Sequence, residues 1–165
     1  MTSRTTEASV TLTVTVEASQ STAFRTFTED MGSWWPKEHH LLEGTLDKMV
    51  FEPVVGGDVY DLATDGSRCR WARVLAYDPP ERVVISWDIS LAWQLETDLD
   101  RTSEVEVRFV KLGPSTTTVE LEHRHLDRHG EGWEPMREAL GSPSGWGGTM
   151  RQFAEHVASV ASAQD

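Results

Sequence analysis

The chain has 165 residues, enough for one domain that buries its own core without disulfides or a metal ion. Its 15 Lys and Arg against 27 Asp and Glu give a formal net charge of −12. An acidic balance of this size disfavours nucleic acid and anionic lipid surfaces as partners.

The remaining composition indicates a cytoplasmic protein. The single cysteine, Cys69, cannot form an internal disulfide, and the polar first residues show no secretory signal. No apolar run approaches the roughly 20 residues of a membrane span, so none is expected. No glycine-rich phosphate loop follows a predicted strand, so we expect no cofactor.

The first elements are a strand and two short helices. Apolar and polar residues alternate strictly over residues 10–17, which predicts a half-buried strand. Ser19 is placed to cap a short helix that carries Phe24 and Phe27. A second short helix is expected before Pro36, which stops it.

Six further strands follow, separated by glycine, aspartate and proline turn signals. They are predicted at residues 46–52, 59–64, 68–77, 82–88, 104–109 and 119–125. Between the fourth and fifth of these, residues 89–101 have no period but contain Leu91, Trp93, Leu95 and Leu99. Such an apolar connection suggests a flap over a site, or alternatively a homodimer contact.

The last predicted element is a long amphipathic helix. Five large apolar residues recur at intervals of four, three, four and three, which stacks them on one helical stripe. They are Trp146, Met150, Phe153, Val157 and Val160. Seven antiparallel strands spaced ~4.8 Å apart form a sheet much wider than one helix of about 10–12 Å. The sheet must therefore curl around the helix, an α+β arrangement that leaves a concave space of the kind small molecules occupy.

These elements and several local motifs resemble a known family. The order of elements resembles the helix-grip fold of the START and Bet v 1-like (SRPBCC) superfamily, and the motifs are similar to its subgroup related to the Hsp90 ATPase activator C-terminal domain. The matching pieces are Phe24 to Phe27, Trp34-Trp35-Pro36, Gly56-Gly57, Asp65-Gly66, Trp71-Ala72-Arg73-Val74, Asp78 to Arg82, Trp87, Thr117 to His123 and Gly145-Trp146. Ala72 stands where the family usually has glycine. The resemblance implies a single domain over residues 1–165 with an ordered core at about 10–160.

The resemblance also limits the functions to be expected of this chain. It implies a curved seven-stranded sheet with a cavity under the C-terminal helix, and members bind lipids, plant hormones, polyketides or other hydrophobic molecules. Some members are polyketide cyclases or aromatases, and the namesake stimulates a chaperone by protein contact, which connects the family with stress response. We expect a hydrophobic-ligand-binding protein. The alternatives are a cyclase- or hydrolase-type enzyme with His123 or His125 as acid or base, and a chaperone contact, which is less expected.

The candidate ligand-binding residues combine aromatic side chains with a histidine pair. A strand places alternate residues on one side, so His123 and His125 are expected together on the cavity wall, with His129 following. A metal site there is the less favoured alternative because no acidic or cysteine ligand has suitable spacing. The full set is Trp35, Trp71, Trp87, Trp93, Phe109, His123, His125, Trp146, Met150 and Phe153.

Other titratable residues are assigned to surfaces. The pair His39 and His40 is expected in a solvated loop. Strand parity turns Glu106 and Glu122 outward, and Asp88 would serve as acid or base only if it turned inward. The sequence therefore contains no arrangement that requires an enzyme.

Overall fold

Seven antiparallel strands form one curved sheet in the computed structural model, which describes residues 8–36, 41–42 and 44–163. Their order across the sheet is β1-β7-β6-β5-β4-β3-β2. The strands are β1 (Val10–Val16), β2 (Leu46–Phe51), β3 (Asp58–Ala63), β4 (Arg68–Asp78), β5 (Arg82–Trp87), β6 (Ser103–Gly113) and β7 (Thr116–Arg124). The predicted helix-grip arrangement of the α+β class is confirmed.

The sheet curls because several strands carry an irregularity in their pairing. The register shifts between Val59 and Tyr60 of β3, between Val74 and Ala76 of β4, and near the end of β6. Each extra residue bends its strand and increases the local twist. A flat ribbon thereby becomes a trough that a single helix can occupy.

A short helix and a 3-10 turn follow β1, where two short helices are predicted, and they pack against strands of the sheet. Helix α1 (Gln20–Thr28) begins at Ser19, whose Oγ accepts a hydrogen bond from the Thr22 backbone N–H at 3.2 Å. A 3-10 turn (Met31–Ser33) follows, and the Trp34 indole Nε1–H donates to the Thr26 carbonyl at 2.8 Å. That hydrogen bond ties the turn to the helix.

The C-terminal region begins differently from the predicted long helix. Helix α2 (Glu134–Gly141) leads into a π-type turn (Pro143–Gly147), and helix α3 (Gly148–Ala163) starts only afterwards. The break occurs at Gly145, where a Cβ atom would collide with the carbonyl oxygens of Ala139 and Leu140. Trp146 is therefore presented by a turn rather than by the regular helix.

The filled half of the interior lies under α3. Phe153 is fully buried, and its ring centroid is 5.4 Å from that of Phe27 and 5.0 Å from that of Trp34. Met150 and Val157 are buried on the same stripe, as the spacing predicts. These contacts fix the helix in the trough.

Arginines and glutamates pair on the outer face of the sheet. Along β6, Glu106 points to the opposite side of the sheet from its neighbours Val105 and Val107. It accepts hydrogen bonds from Arg82 Nε at 2.7 Å and from Arg124 Nη1. Asp88 is likewise held in an ion pair, because Arg73 donates to both of its carboxylate oxygens at 3.0 Å. These carboxylates stabilise the sheet and do not face the interior space.

No helix in the described part of the chain is both long and apolar enough to cross a bilayer.

Candidate functional site

A pocket of about 400 Å³ opens between the sheet and the start of α3. Its volume lies within the range of about 300–1,000 Å³ that is usual for small-molecule sites. Five of the residues that line it are tryptophans: Trp35, Trp71, Trp87, Trp93 and Trp146. All five are in the predicted set of candidate residues.

Four of these tryptophans form a closed ring of aromatic contacts, which we call the tryptophan ring. The centroid of Trp35 is 5.0 Å from that of Trp71, which is 5.9 Å from that of Trp87. Trp146 closes the ring, with centroids 5.7 Å from Trp87 and 5.9 Å from Trp35. Tilted and edge-to-face arrangements at these distances are the favoured geometries of aromatic pairs. The pocket wall is therefore preorganised.

The ring is assembled from distant parts of the chain. Trp71 lies on β4 and Trp87 ends β5, and the backbone N–H of Asp88 donates to the Trp71 carbonyl at 3.0 Å, which joins the two strands at this point. Trp35 follows the 3-10 turn, and Trp146 comes from the π-type turn. All four side chains are buried.

Trp93 occupies the rim on the connection between β5 and β6. It has φ 60°, and its backbone N–H donates to the Ser90 carbonyl at 2.8 Å, which makes a tight turn. The residue is 45% exposed although it lines the pocket. The connection thus covers part of the pocket in the manner expected of a flap. The alternative homodimer contact stays a prediction.

The described residues that line the pocket carry no charged side chain. The hydroxyl groups come from Ser144 and Thr149, and both are already engaged. Thr149 Oγ1 donates to the Gly145 carbonyl at 3.1 Å, and Ser144 Oγ lies 3.0 Å from Ser142 Oγ. The surface presented to a ligand is therefore mainly aromatic and neutral.

His123 is predicted on the cavity wall, but it does not line the pocket; it lies behind the tryptophan ring and holds it. The Trp146 indole Nε1–H donates to His123 Nδ1 at 3.0 Å. Because Nδ1 accepts, the neutral imidazole carries its proton on Nε2, which lies 2.7 Å from Ser103 Oγ. Complete burial, assisted by the nearby His129, lowers the pKa of His123 to about 3. The imidazole is neutral at pH 7 and fixes the orientation of the Trp146 indole.

The hydrogen-bond chain continues from Ser103 to His129. Ser103 Oγ lies 2.7 Å from His129 Nε2. Having accepted from His123, the hydroxyl donates to His129 Nε2, which leaves the His129 proton on Nδ1. That Nδ1 is buried without a hydrogen-bond partner among the residues that the structure describes. Burial also lowers the pKa of His129.

The structure corrects the prediction that His125 shares a wall with His123. β7 ends at Arg124, and His125 has the left-handed conformation φ 63°, ψ 33° with an exposed side chain. Alternate side chains point to the same side of a strand only while the backbone stays extended. The chain leaves the extended conformation at His125, so its imidazole points away from that of His123.

Three aromatic and aliphatic candidates also lie away from the pocket. Phe109, Met150 and Phe153 are buried in the filled half of the interior. Phe109 packs against Phe24 and Phe27, with ring centroids 5.2 and 5.8 Å apart. The expectation that these three line the cavity is corrected, because other side chains fill the space beside them.

Within residues 8–36, 41–42 and 44–163, no three His, Cys, Asp or Glu side chains come together as metal ligands. His39 and His40 lie outside the described residues.

The sequence analysis did not identify seven of the residues that line the pocket, nor Ser103, which contacts both His123 and His129. The seven lining residues are Leu41, Ile89, Ala139, Leu140, Ser144, Gly145 and Thr149. Ser103 was also missed, because only its position opposite Trp87 in the pairing of β5 with β6 brings it near the site. The apolar spacing of Trp133, Met136 and Leu140 is a sequence signal that indicates a helix where α2 lies.

Comparison with known proteins gives one family match. Residues 17–158 match the family described as Activator of Hsp90 ATPase homolog 1-like protein. A search of curated protein sequences gives no match.

Solved structures with the same fold include two of higher identity. One is described as the anthrahydroquino-gamma-pyrone synthase Txn09 in complex with SUM; it is 40% identical with a TM-score of 0.63, and the alignment covers 89% of this chain and 95% of that chain. Another is CalC from Micromonospora echinospora, described as a self-sacrificing resistance protein, at 29% identity, TM-score 0.66, and 94% and 97% coverage. A protein from Nitrosomonas europaea, at 16% identity, TM-score 0.65, and 92% and 94% coverage, shows the fold alone.

Proposed function

The chain belongs to the Activator of Hsp90 ATPase homolog 1-like family, and from that premise we propose that its pocket binds the planar, uncharged ring system of an aromatic molecule of polyketide type. The tryptophan ring is the observation that carries this proposal. Four buried indoles in mutual contact give a rigid apolar wall. Flat ligands stack on such walls with little loss of conformational freedom.

The lining favours this ligand class over a fatty acid. A fatty acid carries a carboxylate, which is costly to bury without a cationic partner. The described pocket lining supplies no cation, so a charged group of a ligand must lie outside the pocket. An aromatic ring system needs no such partner.

The relatives support the same class. Txn09, at 40% identity, is described as an anthrahydroquino-gamma-pyrone synthase, a name that denotes a flat fused-ring skeleton. CalC, at 29% identity, is described as a resistance protein. Both descriptions concern those proteins; only the first names a ring skeleton, and that skeleton is the ligand class we carry over to this chain.

Titration of the intrinsic tryptophan fluorescence with a trihydroxyanthraquinone tests the proposal. We expect saturable quenching at one site in the micromolar range, about −7 kcal/mol for a ligand of this size. Palmitate at the same concentrations is expected to give no saturable change. Tight binding of palmitate together with no binding of the anthraquinone would contradict the proposed ligand class.

The 40% identity to a synthase favours ring closure on a bound polyketide as the second candidate function. In that case the rigid pocket would bring the reacting atoms of the ligand together. His123 would act as a positioning residue, because it contacts Trp146 and lies behind it. Liquid chromatography with mass spectrometry of a linear polyketide incubated with the protein separates the two functions: recovery of the unchanged compound at its original retention time supports binding alone, and a new product, either isomeric or lighter by one water, supports cyclisation.

A further inference from the structure

A second and wider depression adjoins the pocket. It has a volume of about 720 Å³ and shares Leu41 and Trp93 with the pocket. The same two side chains therefore border both spaces. We call this second space the polar groove.

The polar groove differs from the pocket in its chemistry. The turn between β3 and β4 contributes Asp65 and Ser67, the first residue of β4 contributes Arg68, and the β5–β6 connection contributes Gln94. Most of its surface is polar, whereas most of the pocket surface is apolar. A ligand that spans both spaces must therefore itself have an apolar and a polar part.

The acidic residue of the groove is engaged within its own turn. Asp65 Oδ1 accepts hydrogen bonds from the Ser67 backbone N–H at 2.9 Å and from Ser67 Oγ at 2.6 Å. These hydrogen bonds lower the pKa of Asp65, so its carboxylate stays ionised. Both side chains serve the turn, which leaves Arg68 as the main donor to a bound molecule.

The Arg68 guanidinium packs on an aromatic ring outside the groove. Its guanidinium carbon lies over the Tyr60 ring, 4.7 Å from the centroid. Tyr60 does not line the groove, so the Arg68 side chain must turn away from this ring before its N–H donors can bind carboxylate or hydroxyl oxygens in the groove. The side chain is exposed, so binding requires no displacement of core residues.

Trp93 is held at the boundary between the two spaces. The Ser90 backbone N–H donates to the Gln94 carbonyl at 2.6 Å, and Ser90 Oγ accepts from the backbone N–H groups of Ala92 and Gln94 at 3.3 Å. This turn fixes the backbone that carries the half-exposed indole beside the groove.

We propose that the polar groove binds an oxygen-rich substituent on the aromatic ligand, with Arg68 donating hydrogen bonds to its oxygens. This inference rests on the proposed function, because the aromatic part anchors the ligand in the pocket. It adds that the natural ligand carries a carboxylated or hydroxyl-rich arm. Charge-assisted hydrogen bonds from arginine are the contacts that would select such an arm.

Three matched probes test the groove: a trihydroxyanthraquinone, its carboxylic acid derivative and its O-glucoside. Dissociation constants are measured by fluorescence titration for the wild type and for Arg68→Ala. We expect at least one substituted probe to bind the wild type about tenfold more tightly than the parent compound. Arg68→Ala should remove that preference and leave the affinity for the parent unchanged. The substituted probe that gains affinity identifies the arm as anionic or sugar-like.

Arg70→Ala is the matched control. Arg70 is an exposed arginine of the same strand that pairs with Asp58 at 3.6 Å and does not line the groove, so the preference should persist in this variant. Equal affinity of the wild type for all three probes would overturn the inference, as would a preference that survives in Arg68→Ala. If the parent compound does not bind at all, the proposed function itself fails, and the inference fails with it.

Discussion

Replacing Ala139 by tryptophan is expected to weaken binding of a trihydroxyanthraquinone at least 30-fold, a loss of about 2 kcal/mol. Ala139 lines the pocket from α2 and is exposed at its mouth. An added indole, which covers ~150–250 Å² when buried, would occupy the space that the ligand needs. The comparison is made by fluorescence titration of both proteins.

The control for this change is Glu138→Trp, which adds the same side chain one residue earlier on the same helix. Glu138 is exposed and does not line the pocket, so affinity should stay within about twofold of the wild type. Thermal unfolding of both variants verifies that each is folded. Equal loss of affinity in the two variants, or no loss in Ala139→Trp, would place the ligand elsewhere.

Acidification is expected to destabilise the fold through the buried histidines. The pKa of His123 falls from its ordinary value of 6.5 to about 3 on folding, so the unfolded chain binds the extra proton. The stabilisation is complete above pH 6.5 and is lost as the pH falls toward the folded-state value. Between pH 7 and pH 5, His123 alone should lower the free energy of unfolding by about 2 kcal/mol. His129, whose pKa is also lowered, acts in the same direction.

Urea unfolding at several pH values measures this effect. His123→Gln keeps a neutral side chain with a donor and an acceptor, so its stability should fall about 2 kcal/mol less than that of the wild type over the same range. His125→Gln is the control, because that histidine is exposed in the folded chain. A wild-type slope that persists in His123→Gln would show that other groups cause the acid loss.

The fold could be predicted because its signals are periodic. Strict alternation marks β1, and the recurring apolar residues of α3 mark the helix that the sheet surrounds. The number of strands then requires curling, since a wide flat sheet cannot be covered by one helix. The π-type turn before α3 could not be foreseen, because it depends on the close approach of Gly145 to two carbonyl groups of α2.

The site could be predicted only in part. Large aromatic residues at inward positions are recognisable from the sequence, and the five tryptophan candidates do line the pocket. Periodicity shows which side chains face inward, but it does not show where the interior is filled. Met150 and Phe153 face inward and meet other side chains, whereas Trp146 is carried to the pocket by the π-type turn. Thr149 lines the pocket from the first turn of α3, a position that no apolar pattern indicates.

The histidine pair shows a second limit of sequence reasoning. Parity along β7 places His123 inward, as the structure has it, but a single left-handed residue turns His125 out to solvent. The partners of His123 are Ser103 and Trp146, which lie 20 and 23 residues away in the chain. Contacts of this kind depend on strand register, which the local pattern does not specify.

The most direct test follows the seven indole N–H resonances in a ¹H–¹⁵N spectrum, assigned by single substitution, while a trihydroxyanthraquinone is added. The resonances of the five pocket tryptophans should shift and saturate together, and that of Trp93 should respond although the residue is half exposed. The resonances of Trp34, which donates to the Thr26 carbonyl, and of Trp133, which lies beside Arg137, should shift least. Saturable shifts confined to Trp34 and Trp133, or no shifts at saturating ligand, would contradict a ligand site on the tryptophan ring.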